Sequence, residues 1–196
     1  MYKAFSVLFL LLMLNTAVFP VEKLVLFDFE KDEELNSAKP DGEGANDPWV
    51  FSCEISDEHA TSGKKSLKVI PKAGAKWLVF SKLPTNNWSS YDLFKFDIFS
   101  SSKNRLPVFF VLSDWQALPC TEEYKCLGYP FHQKTGALKP GRQTIEFSLN
   151  KLATIDSRFM FVEDTKLFAI GFNDDKTSFY VDNIRLEKKE EAIEEQ

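Results

Sequence analysis

The sequence predicts an all-β protein folded as a two-sheet antiparallel β-sandwich, and three observations carry that expectation. Short runs rich in Val, Ile and Phe are separated by clusters of Gly, Pro, Asn, Asp and Ser along most of the chain. Several of these runs alternate apolar and polar residues, as a strand with one buried face must. Helix signals are confined to single turns at "KDEELN" and "SLNKLATID". The 196 residues, 44% hydrophobic and 14% aromatic, suit one core, and no repeat or linker divides them.

Nine strands are expected, near 23–30, 49–56, 65–70, 76–81, 92–99, 107–113, 142–149, 166–172 and 178–187. Val25, Phe27 and Phe29 share one parity and predict an inner face. So do Leu67 and Val69, then Phe94, Phe96 and Ile98, then Ile145, Phe147 and Leu149. The segment VFFVL at 108–112 is apolar on both parities, which suits a central strand covered twice or one whose second face lines a groove. The last strand, FYVDNIRL at 179–186, changes phase. Phe179 and Val181 lie on one parity, Ile184 and Leu186 on the other, and the break at Asp182-Asn183 predicts a bulge that re-aims the aspartate.

Outside the sandwich, residues 1–17 carry Lys3 and an apolar run from Ala4 to Leu14, too short to span a bilayer and fitting a secretory signal cut near Ala17. The domain then covers 18–187, and 188–196 is a charged tail. The formal net charge is −5, and losing Lys3 with the leader makes it −6. That charge argues against nucleic acid or an anionic membrane as partner, and the leader predicts a secreted or periplasmic protein with no membrane attachment after cleavage. Export permits a local disulfide between Cys120 and Cys126 in "PCTEEYKC", whereas Cys53, in an apolar stretch, reads as a buried thiol.

Asp28 and Glu30 lie on the parity opposite Phe27 and Phe29, and Asp182 adds a third carboxylate in a last strand that should neighbour the first. Clustered carboxylates are ligands for calcium; equally, Asp182 can accept backbone amides while Asp28 and Glu30 face solvent. In order along the chain, "LFDFEKDEEL", "EHATSGKKSLKV", "NNWSSYDLFKFDIFS", "LKPGRQTIEFSLNKL" and "FYVDNIRLEK" resemble the galactose-binding-like β-sandwich modules that accompany secreted glycoside hydrolases. The resemblance implies a jelly roll with a structural Ca2+ where first and last strands meet. Its ligands would be Glu30, Asp182 and the carbonyl of Lys65, with Asp28 compensating for Ser62, which stands where many such modules carry an acid before the glycine.

Sugar recognition needs aromatic faces for C–H surfaces and polar groups for hydroxyls. Trp49 and Trp88 read as packing residues. Trp77 follows a Gly-Ala turn, and Trp115 opens a long loop, 114–134, that also carries Phe131 and His132. Asp97 faces away from Phe94, Phe96 and Ile98 and can share a groove with Asp114. The expected ligand site is therefore Trp77, Asp97, Asp114, Trp115, Phe131 and His132. The chain lacks a Gly-x-Ser-x-Gly elbow, a His-Glu-x-x-His helix and a phosphate-cradling glycine loop. The leading expectation is a secreted, non-catalytic carbohydrate-binding module, with secreted glycoside hydrolases as partners. The competing ones are a polysaccharide lyase or glycosidase on the same scaffold, with Asp97 and Asp114 as its carboxylate pair, and an assembly factor of the complex I type.

Overall fold

The computed structural model describes residues 22–38, 52–70, 77–114, 131–154, 157, 159–172 and 177–189. Among these residues, ten strands form two antiparallel sheets. Sheet A contains β1 (Lys23–Phe27), β2 (Ser52–Ser56), β3 (Ser66–Ile70), β5 (Leu93–Ser100), β8 (Gly141–Ser148) and β10 (Phe179–Glu187). Sheet B contains β4 (Trp77–Phe80), β6 (Leu106–Ser113), β7 (Phe131–Leu138) and β9 (Leu167–Phe172) in the order β4-β9-β6-β7. The expected single turns are short 3-10 helices at Asp32–Ala38 and Leu149–Lys151, and a third lies at Val162–Asp164.

Phenylalanine fills the space between the sheets. Phe94 meets Phe168 edge-on at 4.9 Å between ring centroids, Phe96 meets Phe110 at 5.5 Å, and Phe80 stacks on Phe168 at 5.4 Å. Leu67, Val69, Ile98, Val108, Leu112, Phe147, Val181 and Leu186 complete this core. Trp88 packs as expected: it is wholly buried on Phe94 at 4.9 Å, with its indole N–H donated to the Thr85 carbonyl.

β10 shows why the sequence changes phase. Its first part pairs with β3 through Phe179–Val181, and its second with β1 through Ile184–Glu187. The register against β5 shifts between Asp182 and Arg185, where Asn183 adopts a positive φ of 51°. One extra residue turns the second apolar set back to the core, so Phe179, Val181, Ile184 and Leu186 are all buried.

Two expectations need correction. Val25 does not share the inner face of Phe27, because β1 has its own register shift between those residues; Leu26 is buried and Val25 is exposed. The long loop expected over 114–134 ends earlier than predicted, because Phe131 and His132 open strand β7. That strand, FHQKTGAL, lies at a sheet edge and is largely exposed, so it carries no apolar alternation to betray it.

Candidate functional site

The outer face of sheet B is built from positions that the strand registers place side by side. One row crosses the sheet as Trp77, Gly171, Phe109 and Thr135; the next as Val79, Ala169, Val111 and Gln133; a third as Leu167, Ser113 and Phe131. All eleven are uncharged. The alternation in β6 sets this face: Val108, Phe110 and Leu112 go inward, and on the opposite side Phe109 is half-buried while Val111 is buried.

Trp77 is held in a defined attitude. A Cβ placed on Gly171 would lie 2.7–3.0 Å from three atoms of the six-membered indole ring. The ring therefore lies over the glycine, with the Phe109 centroid 6.4 Å away. An aromatic ring laid along a sheet offers its other side to a flat apolar partner. Gly171→Ala should push the indole off this seat, weakening any ligand that stacks on Trp77 while leaving the core intact. Tryptophan fluorescence and ligand titration of the variant check this; unchanged affinity would show that the seat does not matter.

The structure brings only some of the expected site residues together. Trp77 and Phe131 share the outer face of sheet B, in different rows. Asp97 lies on the outer face of sheet A, opposite Asp182. Asp114 is fully buried and accepts the Phe161 amide at 2.8 Å. These two aspartates therefore form neither a shared groove nor a carboxylate pair. His132 lies opposite inward-facing Leu112, and its ring meets Phe147 edge-on. Its Nδ1 is 2.7 Å from the Ala153 carbonyl, which can only accept, so this nitrogen carries the proton. Trp115, Trp49, Cys120 and Cys126 lie outside the described residues. Cys53 is half-buried on β2 against the core.

The corner where first and last strands meet is closed by carboxylates and amides. Asp182 Oδ2 accepts the amides of Thr61 and Ser62 at 2.6 and 2.8 Å and lies 3.0 Å from the Thr61 hydroxyl, while Oδ1 accepts the Asn183 amide at 2.6 Å. Glu30 Oε1 accepts the amides of Lys64 and Lys65 at 2.6 and 2.7 Å. These amides hold the Glu30 carboxyl below its usual range. Burial pushes Asp182 upward, and its donors only partly offset this. Gly63, at φ 65°, leaves room for Glu30; any Cβ there would collide with that carboxylate.

A calcium ion would need Asp28, Glu30 and Asp182 to turn free lone pairs toward one space. Instead, four backbone N–H groups of one loop point at two separate carboxylates, and Asp28 Oδ1 accepts the Glu30 amide. Among the described residues, no three His, Cys, Asp or Glu side chains converge on a common point. The residues present do not fit the ion. Melting curves with excess EGTA or excess Ca2+ should therefore coincide; a rise of several degrees with Ca2+ would contradict this.

The same loop covers the outer face of sheet A. The His59 ring stacks on Phe99 at 3.4 Å, Glu58 accepts the Tyr180 hydroxyl at 2.5 Å, and Arg142 donates to the Ala60 carbonyl at 3.0 Å. Beneath it, Asp97 accepts the hydroxyls of Thr61 and Thr144 and the Asn183 amide, with Arg185 at 3.5 Å. The two outer faces differ in kind. That of sheet A carries Phe99, Tyr180 and the Asp97 network under residues 58–62; that of sheet B carries the half-buried rings of Trp77, Phe109 and Phe131, with Val111, Ser113 and Ala169 buried between them.

Such a pair of antiparallel sheets is a β-sandwich, and the solved structures it resembles include carbohydrate-binding modules. The particular likeness is to the family 11 carbohydrate-binding module from Clostridium thermocellum in complex with a β-1,3-1,4-mixed-linked tetrasaccharide. That structure is 21% identical with a TM-score of 0.57, over 89% of this chain and 100% of that one. The solution structure of CtCBM11 matches at 20% identity and a TM-score of 0.61, over 89% and 99%. The agarase AgWH50C matches at 16% and 0.52; this chain aligns with a quarter of it. No family model and no curated protein matches this sequence.

Proposed function

We propose that this protein is a non-catalytic carbohydrate-binding module that holds an oligosaccharide or polysaccharide chain on the outer face of sheet B. The observation that carries the reading is Trp77, laid over Gly171 beside Phe109 on a face whose paired positions are all uncharged. Aromatic rings fixed along a sheet suit the C–H faces of sugar rings, and the exposed Gln133 and Thr135 can meet hydroxyls. The fold shared with a module solved in complex with a mixed-linked tetrasaccharide supports the ligand class. Its occurrence within an agarase supports work beside polysaccharide-degrading enzymes. The Lys3-led apolar run supports export, so that the module meets glycans outside the cytoplasm.

The test is affinity electrophoresis of the full domain through gels containing mixed-linked β-glucan, cellulose derivatives, xylan or agarose, with product analysis alongside. Retardation by at least one polysaccharide without release of sugar supports the reading. Unretarded migration in all of them, or cleavage of the retarding polymer, overturns it.

A further inference from the structure

On one flank of the sandwich, β7 ends sheet B and β8 ends sheet A, and the turn at 139–140 joins the two edge strands. Between them lies a cleft of about 410 Å³, a volume that suits a small ligand. The register against β6 explains the opening. His132, Lys134 and Gly136 stand opposite the inward-facing Leu112, Phe110 and Val108, so these β7 positions face inward too. Gly136 brings no side chain to fill its place. A Cβ there would lie 3.9 Å from a Phe110 ring atom, an ordinary contact, so the space above that ring is left open. Half-buried Ile145 of β8 lines the same cleft.

Lys134 brings a charge to the opening. Its ammonium donates to the Glu146 carbonyl at 2.9 Å and stands 5.1 Å from the Phe147 ring centroid. Both of these partners are neutral. The Glu146 carboxylate is held by Lys95 at 3.2 Å, and among the described residues no carboxylate pairs with Lys134. A lysine on an edge strand also guards that edge against pairing with another chain. That role accounts for the charge and leaves the cleft beside it without a purpose. Thr135 belongs to both surfaces: it ends the row of Trp77, Gly171 and Phe109 on the outer face of sheet B, and it lines the cleft. A glycan laid along that row leaves the sheet next to the cleft.

We propose that the cleft between β7 and β8 takes a uronic acid unit of a glycan, its carboxylate on Lys134 and its C–H face against Ile145. Exposed Thr135 meets a hydroxyl at the rim. The sugar class rests on the carbohydrate-binding reading above; the cleft itself uses none of the aromatic rings of sheet B. The formal net charge of −5 weighs against a polyanion spread over the surface. The ligand is therefore a mainly neutral glycan with an acidic side group or terminus.

The experiment is a heteronuclear NMR titration of the full chain with glucuronate, glucose and hexanoate, repeated on Lys134→Met, Lys134→Arg and Gly136→Leu, with Tm measured on each. Glucuronate should shift the amides of Lys134, Gly136 and Ile145 saturably, and glucose and hexanoate should bind about 10-fold more weakly or not at all. Lys134→Met should lose about 10-fold in glucuronate affinity, and Lys134→Arg should retain it. Gly136→Leu should hold or raise Tm, because glycine weakens a strand interior, and should abolish the saturable shifts by filling the cleft. No saturable shift in wild type overturns the proposal. So does equal binding of hexanoate or glucose, or wild-type binding by Lys134→Met or Gly136→Leu. Retardation by neutral polysaccharides without glucuronate binding removes the cleft and keeps the sheet B face. Glucuronate binding by a protein that no polysaccharide retards keeps the cleft and removes the face.

Discussion

Trp77→Ala should lower glycan affinity by about 5- to 150-fold, the 1–3 kcal/mol of a stacking anchor, with little change in Tm. Its ring lies on the outside of sheet B and fills no core space, so the lost contacts belong to the ligand. Trp88→Ala should do the opposite. That indole is wholly buried against Phe94, and its truncation should cost about 3–5 kcal/mol of stability, with affinity falling only as the domain unfolds. Calorimetric melting and titration on both variants separate the cases. A Trp77→Ala protein that melts early, or binds like wild type, would show that the face has been assigned to the wrong side of the sandwich.

Asp97→Ala is expected to be among the most destabilising changes on sheet A. Burial pushes the Asp97 carboxyl up, but hydrogen bonds from Thr144, Asn183 and Thr61 and the charge of Arg185 more than offset it, so its pKa lies below the usual value. Removing the carboxylate strands these donors and leaves the buried Arg185 with Glu187, at 2.6 Å, as its acidic partner among the described residues. Breaking such a buried network costs about 3–5 kcal/mol. At about 2–4 °C per kcal/mol for a domain of this size, Tm should drop by roughly 10 °C. A Tm within a degree or two of wild type would refute the role given to Asp97.

The sign of the pH dependence follows from the lowered pKa. The stabilisation from ionised Asp97 is present above the unfolded-state value and is lost as pH falls through the lower folded value. Asp182, with its pKa raised by burial, contributes in the opposite sense, so the wild-type curve mixes the two. The difference in stability between wild type and Asp97→Asn isolates the first: it should be full near neutrality and shrink below the usual carboxylate range. A difference that grows on acidification would reverse the assignment.

Much of the fold could be read from side-chain parity. The phase break in FYVDNIRL named the bulge in β10, and VFFVL, apolar on both parities, named the strand whose second side forms the candidate face. Parity failed where its physical basis failed. β7 is an edge strand exposed along most of its length, so nothing selects alternation there, and its first residues read as loop. For the site, Trp77 and Phe131 were legible as aromatics flanking strands. Asp97, Asp114 and His132 were legible as polar residues in the right segments, but parity cannot say which sheet a strand joins, and that decided their roles. Phe109 was half-visible in VFFVL. Gly171, within LFAIGF, gave no signal, because its meaning is a tryptophan ring contributed by a strand far away in the chain.

The pairing of Lys23 with Glu187, at the outer ends of β1 and β10, has a consequence for how the domain can be attached to other things. Both ends of the folded body leave from neighbouring strands of sheet A, while the aromatic face belongs to sheet B. A tether at Lys23 or Glu187, or at both at once, pulls from the sheet opposite the proposed sugar platform. The domain can therefore be spliced into a host loop, strung between catalytic units or fixed to a bead by either end with its working surface turned outward.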